Sequence, residues 1–238
     1  MAEWFQEWFG EDYLRLYPHR DAGEAARLVA LVRSHVPCRA GWAILDVGCG
    51  AGRHLSAFEA AGLRPIGLDL SRTLLHRART ATRRPLVRAD MRHLPVRSGR
   101  FDLVVNLFTS FGYFATDAEH AGVIGEMASA LRPGGWLVMD FLNAPALRAG
   151  LVAEETVTLA GAPARVTRRL EDGSRTVVKT IETADGRQYV ERVRLYEAPE
   201  LDTMFTGAGL LPRHKFGDYD GADLAPSSPR AILIGQRP

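Results

Sequence analysis

The sequence predicts an α/β fold built on a doubly wound parallel sheet, and three observations carry that prediction. An apolar run over residues 42–45 ends in Asp46-Val-Gly-Cys-Gly-Ala-Gly52 and passes at once into a helical pattern over residues 53–62. A second apolar run, Pro65-Ile-Gly-Leu-Asp69, again ends in an acid. Strand-like and helix-like patterns then alternate through residue 141, as right-handed crossovers between parallel strands require.

The elements follow in order. Residues 1–40 form a helical preface, in which Trp4, Phe5, Trp8 and Phe9 and then Tyr13 and Tyr17 recur at helical spacing, followed by an apolar-periodic helix over 22–36. The core then begins, with Gly62-Leu-Arg-Pro65 and Arg84-Pro85 punctuating its helix-to-strand joints. The fourth strand is read in Arg100-Phe-Asp-Leu-Val-Val-Asn-Leu-Phe108, and the fifth after Leu131-Arg-Pro-Gly-Gly, where proline ends a helix and the glycines turn the chain. From about Glu155 to Tyr196 the period changes to two, with Asp172-Gly173 and Asp185-Gly186 as hairpin turns. This predicts an inserted antiparallel sheet of three or four strands. A helix over 199–208, closed by Gly209, and strands at 213–216 and 231–236 complete the core. The expected division is one domain over 1–238: a preface or lid at 1–40, a core at 41–147 and 199–238, and the inserted sheet at 148–198.

Composition narrows the function classes. A chain of 238 residues with 46% hydrophobic content can bury a full core. No run reaches the ~18 apolar residues of a membrane helix, and the acidic, tryptophan-bearing start is unlike a signal peptide. The two cysteines, Cys38 and Cys49, are read as reduced thiols of a cytoplasmic protein, and no Cys/His cluster has zinc spacing. Of the 30 basic residues only Lys179 and Lys215 are lysines. Nine arginines between Arg72 and Arg100 face the single acid Asp90, which raises the possibility of a nucleic-acid track. With a net charge of +2 and no interleaved aromatics, a solvated helix face turned away from the ligand crevice accounts for them better.

The glycine-rich turn carries the chemistry. Gly48, Gly50 and Gly52 free the backbone for conformations a Cβ forbids, so a ligand can lie against the main chain. Asp69, at the tip of the next strand, is placed to grip a ribose diol. Arg53 stands where a dinucleotide fingerprint needs a small residue, so a nicotinamide cofactor is not expected.

Asp46-Val-Gly-Cys-Gly-Ala-Gly52 and Gly67-Leu-Asp-Leu-Ser71 resemble the first two motifs of class I S-adenosylmethionine-dependent methyltransferases. Arg88-Ala-Asp90-Met91, the 100–108 strand and Leu131-Arg-Pro-Gly-Gly-Trp-Leu-Val-Met-Asp140 resemble the next three, in register. The aromatic preface, the Gly-x-Gly-x-Gly-Arg-His loop and the β insertion resemble bacterial small-molecule methyltransferases, including those that methylate amino sugars and antibiotics.

The resemblance implies a Rossmann-like, seven-stranded, mostly parallel sheet whose final hairpin brings in an antiparallel strand, S-adenosylmethionine as cofactor, and methyl transfer to a small molecule, at nitrogen or oxygen. It implies Gly48, Gly50 and Gly52 in close approach to the cofactor, with Cys49 filling the same loop and Asp46 orienting the methionine amino group. It places Asp69 and Leu70 at the ribose, Asp90 and Met91 at adenine, and Asn106 and Phe108 beside the methionine chain. Tyr17 and Arg20 would reach the cofactor from the lid, Arg20 at the methionine carboxylate. Tyr13, Phe111 and Tyr219 are the expected acceptor-pocket residues, Tyr113 the wall of the methyl group and His214 a base, each with core filling or a structural histidine as the plain alternative. Two other readings stay open: an RNA or DNA methyltransferase using the arginine-rich stretch, and a non-catalytic cofactor-binding protein. No metal and no membrane are expected, and a monomer or a homodimer fits equally.

Overall fold

A computed structural model describes residues 3–17 and 22–238. The main sheet is formed by β1 (Ala43–Val47), β2 (Arg64–Asp69), β3 (Leu86–Arg88), β4 (Phe101–Asn106), β5 (Leu131–Leu142), β10 (Leu211–Phe216) and β11 (Arg230–Gln236). Its order is β3-β2-β1-β4-β5-β11-β10. All neighbours run parallel except β11, which is antiparallel to both β5 and β10. The strand order reverses beside β1, so the carboxyl ends of β1 and β4 diverge into the crevice where such sheets bind ligands.

Residue alternation assigns the two faces. Leu45, Val104 and Met139 pack with α6 (Asp117–Ala130) and α8 (Ala198–Gly207), whereas Ile44, Leu103 and Val138 pack with α3 (Ala22–His35) and α4 (Arg53–Ala60). The α5 helix (Arg72–Ala81) lies beside β2 and β3, its start capped by the Ser71 hydroxyl accepting the Leu74 N–H. Gly52 is the left-handed residue that opens α4, and a Cβ there would stand 3.1 Å from the Ala78 Cβ on α5. It lets two helices meet.

The Pro133-Gly134-Gly135 segment differs from the expected turn. The chain enters β5 directly after α6, and these residues form a bulge between two registers on β4. A Cβ on Gly135 would stand 2.8 Å from the Arg132 carbonyl oxygen and 3.1 Å from that of Phe101.

A second sheet, β6 (Glu154–Leu159), β7 (Ala162–Glu171), β8 (Thr176–Thr183) and β9 (Gln188–Arg194), is antiparallel throughout. It follows α7 (Ala144–Ala149). Its first turn, Ala160-Gly161, has positive φ at both residues, the two-residue geometry that suits the strand twist. The aromatic preface is two short helices, α1 (Trp4–Trp8) and α2 (Glu11–Leu16), broken at Phe9-Gly10. They cover the apolar end of one face of the second sheet, where Trp8, Tyr13 and Leu16 meet Ala164, Val166 and Ile181. No helix among the described residues is long and apolar enough to cross a membrane.

Candidate active site

A cavity of about 1570 Å³ opens at the carboxyl ends of β1, β2 and β4. It exceeds the about 300–1,000 Å³ of a single small-molecule site, so it has room for two ligands. Its floor is the turn at Gly48, Cys49 and Gly50 with Asp69, Leu70, Asp90 and Met91; Phe108, Thr109, Ser110 and Tyr113 form one side. The roof comes from Tyr13 and Tyr17 and from the second sheet.

The turn is shaped by local chemistry. Gly48, Gly50 and Gly52 all have positive φ, and a Cβ on Gly48 would lie 2.6 Å from that of Ser110. Asp69 accepts the Gly50 N–H and the Ser71 N–H, each at 2.8 Å, and so holds the turn and the start of α5 together. Burial raises its pKa, opposed by the hydrogen bonds from Ser71 and Gly50. Asp46 is buried behind the turn, and one carboxylate oxygen, Oδ2, has no hydrogen-bond partner. Burial and the nearby Asp69 charge push its carboxyl up to about 8, against the pull of Arg53. Cys49 is buried and packs towards Gly67; burial raises its thiol pKa, so it is a poor nucleophile.

Asp90 lies at the cavity edge beside Met91 but is held by Arg92, whose Nη2 lies 2.7 Å from its Oδ2. Burial raises the Asp90 pKa, and the Arg92 pair more than offsets this, leaving it lowered. The same guanidinium reaches Glu3 at 2.6 Å and Glu119 at 3.3 Å, joining α1, the β3 exit and α6.

Several expected site residues take other places. Asn106 is fully buried and donates to the carbonyls of Val47 and Ser110, so it braces the β1 and β4 exits without lining the cavity. Gly52 serves helix contact, as above. Phe111 is fully buried against Phe141, His120 and Tyr196, because the loop turns inward after Ser110 and returns to the cavity only at Tyr113. Tyr219 is buried, and its hydroxyl donates to Asp140 at 2.7 Å. His214 sits within β10 at the sheet edge, stacked on Phe216 and near His35, and it does not reach the cavity. Tyr113 does line the cavity, ringed by Trp4, Phe5 and Phe9, but its hydroxyl donates to the Thr109 carbonyl oxygen. Tyr17 lines the roof and accepts a hydrogen bond from Lys179. Arg20 lies outside the described residues.

The arginine-rich stretch is not one solvated face. Arg72, Arg77 and Arg88 line the cavity mouth, Arg84 pairs with Glu59 at 2.8 Å, and Arg92 is the hub described above. Glu59, Glu3 and Glu119, which pair with Arg84 and Arg92 alongside the local Asp90, come from distant parts of the chain.

The second sheet contributes a wall that the motifs do not announce. Arg168, Lys179 and Glu191 stand opposite one another on β7, β8 and β9, and all three line the cavity with Glu155. Arg168 pairs with Glu155 at 2.7 Å and Lys179 with Glu191 at 3.6 Å. This charged stripe lies between an apolar end under α1 and α2 and another at Val177 and Val193. Period-two patterning tells that these residues share a face, but not what that face meets.

The residues present fit S-adenosylmethionine. A Cβ-free turn suits close backbone approach and Asp69, which lines the cavity, suits a ribose diol, whereas Asp46, with its unpartnered Oδ2, lies behind the turn and does not line the cavity. When bound, this cofactor supplies an activated methyl group on a sulfonium. Among the described residues no cluster of histidine, cysteine or acidic residues is placed to hold a metal ion.

Comparison with known proteins agrees. Residues 44–135 match the family model described as a methyltransferase domain. The chain is 33% identical over 228 residues to the dTDP-3-amino-3,4,6-trideoxy-alpha-D-glucopyranose N,N-dimethyltransferase of Streptomyces venezuelae, covering 90% of each chain. It is 32% identical over 234 residues to the dTDP-3-amino-3,6-dideoxy-alpha-D-glucopyranose N,N-dimethyltransferase of Streptomyces fradiae, covering 93% of this chain and 87% of that one. Among solved structures, CalS10, an amino pentose methyltransferase from Micromonospora echinaspora with S-adenosylmethionine bound, superposes with a TM-score of 0.71 at 26% identity, covering 95% of this chain and 96% of its own. The chain belongs to the family of S-adenosylmethionine-dependent small-molecule methyltransferases.

Proposed function

We propose that the acceptor is the amine of a nucleotide-linked amino sugar, methylated at nitrogen. The observation that carries this reading is the charged stripe of the second sheet, which faces the cofactor turn across one shared cavity. Arg168 and Lys179 supply cations for a diphosphate, and Glu155 and Glu191 supply carboxylates for an ammonium or sugar hydroxyls. The relatives named above, similar over nearly their whole length, act by their names on dTDP-linked amino sugars.

In this reading the cofactor rests on the Gly48–Gly50 turn, with Asp69 and Leu70 at its ribose, Asp90 and Met91 at its adenine and Phe108 beside its methionine chain. Tyr13 and Tyr17 border the acceptor from the roof, and the Tyr113 ring faces the methyl group. An amine needs alignment and exclusion of water more than a strong base, which fits a site where the Tyr113 hydroxyl is already committed and His214 lies elsewhere. Of the preface at 1–40 and the inserted sheet at 148–198, we assign the helices α1 and α2 and the second sheet to cover the cavity; 41–147 with 199–238 form the catalytic core, against which α3 packs. The free thiols Cys38 and Cys49 are in keeping with a cytoplasmic enzyme.

The test is incubation of the purified chain with methyl-labelled S-adenosylmethionine and a panel of dTDP-linked 3-amino and 4-amino sugars, beside phenolic acceptors. Labelled N-methyl sugar is the expected product. Methylation of phenols with no transfer to any amino sugar would overturn the reading.

A further inference from the structure

We propose that Asp140 is a positioning residue for methyl transfer, acting through the backbone turn at Phe108 and Thr109. Asp140 lies near the end of β5 and is fully buried. Its Oδ2 accepts the Phe108 N–H at 3.0 Å and the Tyr219 hydroxyl at 2.7 Å, and its Oδ1 accepts Arg230 Nε at 2.7 Å. Its backbone carbonyl accepts the Thr109 N–H at 3.0 Å. Arg230 also donates to the Thr109 hydroxyl at 2.9 Å, so both turn residues are gripped from β5 and β11.

What is gripped is strained. Phe108 and Thr109 have φ of 55° and 63°, a left-handed conformation that a β-branched residue strongly resists. Such a turn persists only where surrounding bonds over-determine it. Its effect is to lay the Phe108 ring along the cavity between two guanidiniums, with Arg53 4.1 Å and Arg230 5.5 Å from the ring centroid. Ser110, the next residue, donates to the Gly48 carbonyl oxygen at 3.2 Å, which ties the turn to the cofactor loop. Asp140 thus bonds the turn's backbone, a cavity-lining arginine and the buried Tyr219 together. Without it Arg230 loses its carboxylate and the Phe108 N–H its acceptor, so the turn relaxes and the cavity wall moves.

The inference rests on the assignment of the Gly48 side of the cavity to the cofactor. It is tested on the full chain by calorimetric titration with S-adenosylmethionine and by thermal melting, for Asp140→Ala and Asp140→Asn, each made in the parent and in a Thr109→Gly background. In the parent, Asp140→Ala is expected to weaken cofactor binding at least tenfold and Asp140→Asn at least threefold. In the Thr109→Gly background, where glycine takes the left-handed conformation at the β-branched of the two positions without strain, the same changes are expected to cost less than threefold and less than twofold. Melting temperature falls in both backgrounds, because Arg230 stays unpaired. Should Asp140→Ala not fold, the Asp140→Asn pair gives the same comparison. Equal losses in the two backgrounds, or parent-like binding by a folded Asp140 variant, would overturn the inference. Failure of the parent chain to bind S-adenosylmethionine would instead overturn the cofactor assignment on which it rests.

Discussion

Trp8 donates its indole Nε1 to the Glu191 carboxylate at 2.9 Å, fastening the first helix to the inserted sheet. Tyr189 packs its ring on Trp8 with centroids 4.6 Å apart and donates its hydroxyl to Asp12 at 2.6 Å. Arg187 also reaches Asp12, at 2.6 Å, and Lys179 donates to Tyr17. The described preface helices and the second sheet therefore form one composite cover, with Trp4, Phe5 and Phe9 resting on Tyr113 below.

Removing Trp8 tests this cover. Trp8→Ala leaves a cavity against Ala164, Val166 and Ile181 and strips the Glu191 carboxylate of a donor, so a loss of about 3–5 kcal/mol is expected. Urea unfolding followed by circular dichroism measures it. A loss below about 1 kcal/mol would mean that the helices lie on the sheet without packing into it.

Asp69 is expected to govern cofactor affinity. On the assignment of Asp69 to the ribose, Asp69→Ala would remove a charge-assisted bond and should weaken binding by ~1.5–3 kcal/mol. It also frees the N–H groups of Gly50 and Ser71, so melting is recorded beside the calorimetry. Unchanged affinity in a folded variant would remove Asp69 from the ribose site.

The buried carboxyl of Asp46 sets a pH dependence whose sign runs against the usual one for an acid. Burial first, then Asp69, raises its pKa from 3.8 to about 8. Folding therefore favours the protonated form: its contribution to stability is complete below about 3.8 and is lost as pH rises through about 8. Without cofactor, Asp46→Asn should be nearly equal to the parent at about pH 4 and should gain on it as pH rises, becoming more stable by on the order of a few kcal/mol at about pH 8.5. On the assignment of Asp46 to the methionine amino group, the same variant should bind S-adenosylmethionine more weakly at about pH 8.5, where the parent carboxyl is ionised. Denaturant unfolding without cofactor decides the matter, and a variant less stable than the parent at about pH 8.5 would contradict it.

Lys179 separates acceptor from cofactor recognition. Lys179→Met should raise the acceptor KM tenfold or more, about 1.4 kcal/mol, while cofactor affinity changes less than about twofold. A parallel loss of cofactor affinity would place Lys179 in the cofactor half of the cavity.

The sequence by itself determined the parallel core, the inserted sheet and the cofactor turn, because each is written in contiguous residues. Gly48, Gly50, Asp69 and Met91 sit at the ends of apolar runs, and a parallel sheet sends every such end to the same edge. The tertiary structure decided what stands opposite that edge. Phe111 and Tyr113 are two positions apart in one aromatic loop, yet one fills core and the other faces the cavity. Their difference is set by left-handed turns at Phe108, Thr109 and Gly112 that no local preference announces. Tyr219 and His214 follow the same rule, since their positions depend on how β10 and the long loop fold back on β5. Arg168, Lys179 and Glu191 read in sequence as ordinary alternation within the inserted sheet. Only the docking of that sheet over the carboxyl ends of β1 and β4, driven by the aromatic preface that covers its apolar end, turns their shared face towards the cofactor loop.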